Sequence, residues 1–375
     1  MDTTKPQTLL GGFSAQQFMQ RHWQKKPLLI RQALPGFRPL LSRADLFALA
    51  AQDGVESRLV RRSRKAPTWS MKQGPFQRRA LPPLHAPDWT LLVQGADLHN
   101  QAMRGLMDQF RFVPDARLDD VMVSFATDGG GVGPHFDSYD VFLLQAAGTR
   151  RWTIGKQKKM TLVEGAPLKI LQNFEPEQTF DLQPGDMLYL PPRYAHDGVA
   201  LGECMTYSIG FKAPKAGELA QELLQRLSDE AGPVDTLYRD TKQPAVASAA
   251  EIPNALLEFA FEAVQKALDN PLALVRVLGE HLTEPKPQVW FETLPEPATA
   301  LDSKAPLYLH RRSRMVYAGG HIFINGESFE ASGRDLGLMQ QMANQRNLAA
   351  VDVRRLSVGA KALLLDWYNN GWLYA

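Results

Sequence analysis

Gly129-Gly130-Gly131-Val132-Gly133-Pro134-His135-Phe136-Asp137, answered far downstream by Pro184-Gly185-Asp186-Met187-Leu188-Tyr189-Leu190-Pro191-Pro192-Arg193-Tyr194-Ala195-His196, decides how this chain folds. The glycine run is permissive backbone, and the proline after it sets the entry of an extended segment. On a strand alternate side chains share a face, so His135 and Asp137 project together while Phe136 points away. The second stretch places a tight turn, a short strand and a proline-stiffened approach ahead of His196. Two imidazoles and a carboxylate brought together from facing strands cover one face of a metal octahedron and leave the other open. The separation of the two halves suits a double-stranded β-helix, in which such strands face each other.

Working outward, residues 121–125, 140–145, 151–154, 186–190 and 205–211 read as β runs, with turns at Gly129-Gly130-Gly131, Gly148-Thr149 and Gly185-Asp186. Many short strands argue for a sandwich or barrel rather than βαβ units. Upstream, Ser14 is a candidate N-cap, Pro27 ends that helix ahead of an apolar strand, and a second capped helix begins at Ser42 or Asp45. Residues 55–75 read as strand-turn-strand and 97–111 as a helix.

Beyond Pro214 the texture turns helical. Residues 218–227 and 253–268 carry apolar side chains at helical spacing, and one face of 254–264 is nearly free of polar positions. An apolar helix pair of that kind needs cover, which predicts homodimerisation through 216–270. Residues 312–329 look like a β-hairpin turning at Asn325-Gly326, 333–344 and 357–368 look helical, and a short strand ends the chain. The expected organisation is a mainly β catalytic domain with α elements (1–213), a helical dimerisation segment (214–280) and a winged-helix-like domain (281–375).

The chain has 375 residues, 44% hydrophobic and 22% charged, with a formal net charge of +2. That is an ordinary globular composition, and the net charge by itself calls for no polyelectrolyte partner. Locally the balance differs: Arg58, Arg61, Arg62, Arg64, Lys65, Lys72, Arg78 and Arg79 lie between 57 and 79 with no acidic residue among them. They read as a solvated face, or as a patch that meets RNA phosphates. The single cysteine, Cys204, excludes an internal disulfide and reads as a small buried strand residue in a reducing compartment. No signal-type apolar segment opens the sequence, and no stretch approaches the ~20 apolar residues of a membrane span, so a cytoplasmic protein is expected.

Asp137 is the expected anionic ligand. Asp140 has the wrong parity relative to His135, and Asp197 follows His196 directly, so both read as structural. Nitrogen and oxygen ligands with open positions favour Fe(II) over a closed, thiolate-rich zinc site.

The His135-x-Asp137…His196 pattern, with Arg150-Arg151-Trp152 downstream, resembles the JmjC branch of the Fe(II)/2-oxoglutarate oxygenases. Phe18-Met19-Gln20-Arg21-His22-Trp23-Gln24-Lys25-Lys26-Pro27-Leu28-Leu29-Ile30 is similar to the start of that branch's cupin-like hydroxylases. The chain as a whole resembles the ribosomal oxygenases, and 124–142 is most similar to bacterial members that hydroxylate an arginine of large-subunit ribosomal protein sixteen. The resemblance implies a JmjC/cupin fold, metal ligation by His135, Asp137 and His196, and O2 and 2-oxoglutarate as co-substrates. Arg150 would grip the far carboxylate of 2-oxoglutarate through its planar fork, and the Ser124 hydroxyl would help hold it. Arg151 faces the other way, and Trp152 shares Arg150's face and packs. The implied reaction hydroxylates an arginyl side chain of a ribosomal protein, with succinate and CO2 as co-products. Asp128 is the candidate carboxylate for the substrate guanidinium, or else a turn-former beside Gly129. Competing readings are demethylation at the same centre, a cupin isomerase that would not need Arg150, and a non-catalytic ribosome or nucleic-acid adaptor. Arg354, Arg355 and Lys361 are too few for a phosphate-binding recognition helix, so nucleic acid is not the expected primary partner of the C-terminal domain.

Overall fold

A computed structural model describes residues 2–63, 68–231, 236–239, 241, 250, 252–268, 270–302 and 304–375. Arg64, Lys65 and part of the 216–270 segment lie outside the described residues. The chain divides into two compact units, Met1–Ala213 and Pro214–Ala375.

In the first unit α1 (Ala15–Arg21) starts at a reciprocal capping box: Ser14 Oγ accepts the Gln17 N–H, and Gln17 Oε1 accepts the Ser14 N–H. After β1 (Leu28–Ile30), α2 (Arg43–Ala50) uses the same device with Ser42 and Asp45. The strand-turn-strand segment forms β2 (Ser57–Arg62) and β3 (Trp69–Gln73), and β4 (Trp89–Val93) follows. The single helix expected over 97–111 is instead two, α3 (Ala96–His99) and α4 (Gln101–Asp108). Asn100 breaks them with extended backbone, and its side chain accepts the N–H groups of Ala102 and Met103 to cap the second.

The remaining strands are β5 (Leu118–Ala126), β6 (Val141–Gly155), β7 (Gln178–Leu182), β8 (Met187–Leu190) and β9 (Ala195–Phe211). All nine strands pair in one antiparallel sheet, ordered β1-β8-β6-β9-β5-β4-β2-β3, with β7 added on β6. Gly148-Thr149 is not a turn between two strands. It lies inside the continuous β6, at a register shift against β9, with Gly148 at φ +64°. A Cβ at Gly148 would lie 2.0 Å from the Glu203 carbonyl oxygen, so only glycine allows the bulge that bends these two long strands.

Strand alternation sorts the interior. Phe142, Leu144, Met187, Tyr189, Tyr207 and Ile209 join Phe18 and Trp23 in the larger core. Val141, Leu143, Trp152, Leu188 and Leu190 turn to the opposite face and form a second cluster beside the site. Asp140 is fully buried in the first core, where its carboxylate accepts the Tyr189 hydroxyl at 2.5 Å and Gln24 Nε2 at 3.1 Å, a structural role.

In the second unit α5 (Ala216–Ala231) and α6 (Asn254–Leu268) are followed by α7 (Pro271–Thr283), a helix capped by Asn270 with proline at its first turn. Strand β10 (Leu307–Leu309) precedes a meander of β11 (Met315–Ala318), β12 (His321–Ile324) and β13 (Glu327–Glu330). The single hairpin expected there is thus a three-stranded sheet, with Gly319-Gly320 making a second turn beside Asn325-Gly326. Helix α8 (Gly333–Gln345), β14 (Asn347–Leu348), α9 (Ala350–Arg355), α10 (Val358–Asn369) and β15 (Leu373–Tyr374) complete it. Strand β10 pairs with both β14 and β15, and Met339, Met342, Leu364 and Trp367 fill the core beneath. Helices closed by a small β wing give a winged-helix arrangement. No helix among the described residues is long and apolar enough to cross a membrane.

Candidate metal centre and co-substrate pocket

The segment carrying His135 and Asp137 is not a regular strand. It makes one antiparallel bridge, His135 to His196, and then leaves the sheet. That bridge is reciprocal: each histidine N–H donates to the other's carbonyl, at 2.9 and 2.8 Å. Gly133, at φ +79°, packs where a Cβ would strike Ile170 and Trp69 at 2.8 Å, and the Asp137 carbonyl accepts the Arg193 N–H at 2.7 Å. Turn chemistry and tertiary anchors, rather than strand parity, thus bring the two side chains to one side.

The ring centroids of His135 and His196 are 4.2 Å apart, and Asp137 Oδ2 lies 3.7 Å from His196 Nε2. One ligand atom from each of the three residues falls within 4.8 Å of the others. His135 Nδ1 sits 2.9 Å from the Gly133 carbonyl, and His196 Nδ1 sits 2.9 Å from that of Tyr194. A carbonyl can only accept, so both Nδ1 atoms carry the proton and both Nε2 lone pairs are left for a metal. Burial, reinforced by the neighbouring His135, pushes the His196 pKa down to about 4, which keeps it neutral and ligating at pH 7.

The triad opens on a cavity of about 110 Å³. Leu92, Met122, Val141, Leu143 and Trp152 give it hydrocarbon walls. Arg150 enters from β6 and is 3% exposed; Arg151, one residue on, points out and pairs with Asp181 at 2.7 Å. The Arg150 Nε donates to Cys204 Sγ at 3.5 Å and its Cζ lies 5.7 Å from the Trp152 ring centroid, while Nη2 is buried with no partner. A buried guanidinium with an unmatched N–H is costly unless an anion completes it, so the pocket's chemistry fits a carboxylate-bearing co-substrate. Ser124, on β5, lines the same cavity and donates weakly to the Thr206 carbonyl at 3.4 Å. Gly198 lies under the Trp152 ring, where a Cβ would come within 2.6 Å.

Asp128 does not reach this cavity. It is exposed, and its carboxylate accepts the Gly202 N–H at 2.8 Å, tying the glycine loop to β9. The carboxylates that line the pocket besides Asp137 are Asp119 and Asp120, with Tyr139 alongside. Asp120 is engaged by Gln94 Nε2 at 2.6 Å and the Gly95 N–H at 3.0 Å, and the half-buried Asp119 lines the same wall. Burial and the Asp137 charge raise the Tyr139 pKa, so its hydroxyl stays a donor at neutral pH. The acidic pair opening an apolar strand was the available signal for this wall.

Glu222, His281 and Glu284 also converge in the second unit, where Arg226 pairs with both glutamates, at 2.8 and 2.6 Å.

A cupin-type sheet carrying a His-x-Asp…His triad beside a buried arginine defines the class of JmjC-like metal centres. Comparison with known proteins agrees: residues 105–219 match the JmjC domain family and 266–374 the ROXA-like winged helix. The ribosomal protein uL16 3-hydroxylase of Escherichia coli is 33% identical over 331 residues, 84% of this chain and 86% of that protein. A probable ribosomal oxygenase of Haemophilus influenzae is 37% identical over 54% of this chain and 50% of its own length. The X-ray structure of E. coli YcfD superposes with a TM-score of 0.86 at 30% identity, covering 95% of this chain and 96% of that one. A YcfD structure in complex with cobalt and 2-oxoglutarate gives 0.84 at 28% identity, covering 96% and 98%. The chain belongs to the JmjC-type ribosomal oxygenases.

Proposed function

We propose that the protein is an Fe(II)- and 2-oxoglutarate-dependent hydroxylase of a large-subunit ribosomal protein, acting on an arginyl side chain. The observation that carries the reading is the buried, incompletely partnered Arg150 opening onto the same cavity as the His135/Asp137/His196 triad. Two imidazoles and one carboxylate would hold the ion on three sides. When bound, iron with O2 and 2-oxoglutarate supplies the means to hydroxylate an unactivated C–H bond, with succinate and CO2 as co-products.

The chain's own part is positioning. Arg150 would take the far carboxylate of 2-oxoglutarate in a bidentate pair, its roll set by Cys204 and the Trp152 face. Ser124 would add a hydroxyl to the same ligand. Leu92, Met122, Val141 and Leu143 keep the cavity dry, which strengthens each charged contact inside it. Asp119 would receive the substrate guanidinium, with the Tyr139 hydroxyl as a further polar contact.

We also propose a homodimer through α5 and α6, on which Leu256, Leu257, Phe261 and Val264 stand exposed. A monomer in sedimentation at micromolar concentration would refute it. The cytoplasm, with its reduced thiols and ribosomes, is the compartment this function calls for.

The direct test is Fe(II)-dependent 2-oxoglutarate turnover with purified protein, comparing His135→Ala and Arg150→Ala with the parent, and mass spectrometry of ribosomal proteins for one added oxygen. Turnover that survives loss of His135 would overturn the reading.

A further inference from the structure

The proposed chemistry leaves the basic β2–β3 segment unused. From Ser57 to Ala80 the chain has no carboxylate. Arg61, Arg62, Lys72, Arg78 and Arg79 are all exposed, and none forms an ion pair among the described residues. Strand β3 is the free edge of the sheet. Leu59 pairs with Lys72 and Arg61 with Ser70, so Arg61 and Lys72 project from one face of the hairpin. Arg62 projects from the other face, with its Cζ 5.6 Å from the centroid of its cross-strand partner Trp69. Arg78 and Arg79 follow in a short helical turn directly after the hairpin.

The Arg62 face runs into the site, whereas Arg61 and Lys72 project from the opposite side of the sheet. Leu92 of the cavity wall pairs with both Arg58 and Ser124, so β5, β4, β2 and β3 form one continuous surface. Trp69 packs on Gly133, two residues before His135.

We infer that the β2–β3 hairpin and the turn after it are a docking surface for RNA phosphates, so that the enzyme meets its protein substrate while that protein is bound to RNA. Charge on an edge strand resists pairing with another edge, but here the cations continue past the edge to Arg78 and Arg79. Five exposed cations with a flat aromatic beside a guanidinium suit a phosphate chain and an unstacked base. They also repel a basic substrate segment, which therefore lies away from the hairpin. The RNA contact stands by itself; the part about the substrate's state rests on the proposed hydroxylase function.

The test uses the full chain and a fluorescein-labelled oligouridine of about twenty nucleotides, followed by anisotropy across a salt series. The triple substitution Arg61→Gln, Lys72→Gln, Arg79→Gln should flatten the slope of log K against log salt by about 2, at about 0.7 per phosphate contact. At about 0.1 M salt that corresponds to roughly a hundredfold weaker binding. A control triple, Lys5→Gln, Lys266→Gln, Lys304→Gln, should leave both unchanged. Absence of binding by the parent, equal weakening by the control, or displacement of RNA by polyglutamate at equal charge would each overturn the RNA assignment. The hairpin triple should retain 2-oxoglutarate turnover and lose hydroxylation of ribosome-bound more than of free protein. Equal loss on both would overturn the second part, whereas absence of hydroxylation by the parent on either substrate would sink the proposed function and leave RNA binding standing.

Discussion

Replacing Arg150 by methionine separates a co-substrate anchor from a structural cation, because the two roles predict opposite signs. The guanidinium is 3% exposed, and one of its terminal nitrogens has no partner. In the ligand-free protein its removal relieves a buried charge and leaves the Cys204 and Trp152 contacts unmade. The melting temperature should therefore hold within about 2 °C or rise, since 1 kcal/mol moves a unit of this size by about 2–4 °C. With 2-oxoglutarate bound, the same substitution strands a carboxylate in a dry pocket, at a cost of about 2–5 kcal/mol. Taking about 3 kcal/mol, at about 1.4 kcal/mol per decade, the dissociation constant rises roughly a hundredfold or slightly more. Anaerobic titration calorimetry with Fe(II) and 2-oxoglutarate reads the affinity, and differential scanning calorimetry of the ligand-free protein reads the stability. A variant that melts several degrees lower yet binds 2-oxoglutarate normally would refute the assignment.

Asp119→Asn should cut hydroxylation of an arginyl substrate at least tenfold while Fe(II)-dependent binding of 2-oxoglutarate is retained; unchanged hydroxylation would remove Asp119 from the substrate wall. Gly198→Ala forces its methyl into the Trp152 ring, and overpacking of that kind costs about 1–3 kcal/mol, to be read in chemical denaturation. Asp186 gives a pH signature. Burial raises its pKa, but the Gln32 and Gln183 N–H groups and Arg31 outweigh that and hold it below the ordinary carboxylate value. Its contribution is therefore complete above the unfolded pKa of about 3.9 and is lost as pH falls through the lower folded value. Asp186→Asn should lower stability at neutral pH and flatten the acid limb of the stability profile; an unchanged limb would show that the carboxylate is not clamped.

Much of this architecture was legible because local chemistry and tertiary structure agree. Ser14 and Ser42 are caps both in the sequence and in space. The Pro184-Gly185-Asp186 turn reads as one because Gly185 takes a positive φ and Asp186 binds back to the Gln183 N–H. Elsewhere one local signal serves two structures. Gly148 announces a turn, but a left-handed glycine serves a bulge equally well, and pairing with β9 decides for the bulge. Asp128 beside a glycine can face a pocket or clamp a loop, and only the position of Gly202 distinguishes them. Asn270-Pro271 carried a helix start that went unread, and β7 is a short, largely exposed strand without a clear apolar alternation. The adjacent Asp119 and Asp120 differ in surroundings because of a register shift at the start of β5, which adjacency in the sequence does not reveal.

The paired main-chain hydrogen bonds between His135 and His196 have a consequence for how the ion is kept. The spacing of the two imidazoles is inherited from chain pairing, so the grip is a fixed jaw rather than a fold gathered around its cargo. A chelator should strip such a centre and leave the sheet standing, unlike a zinc finger, which unravels without its ion. Ion exchange would then be limited by passage through the narrow cavity, and swapping one divalent cation for another would require no refolding.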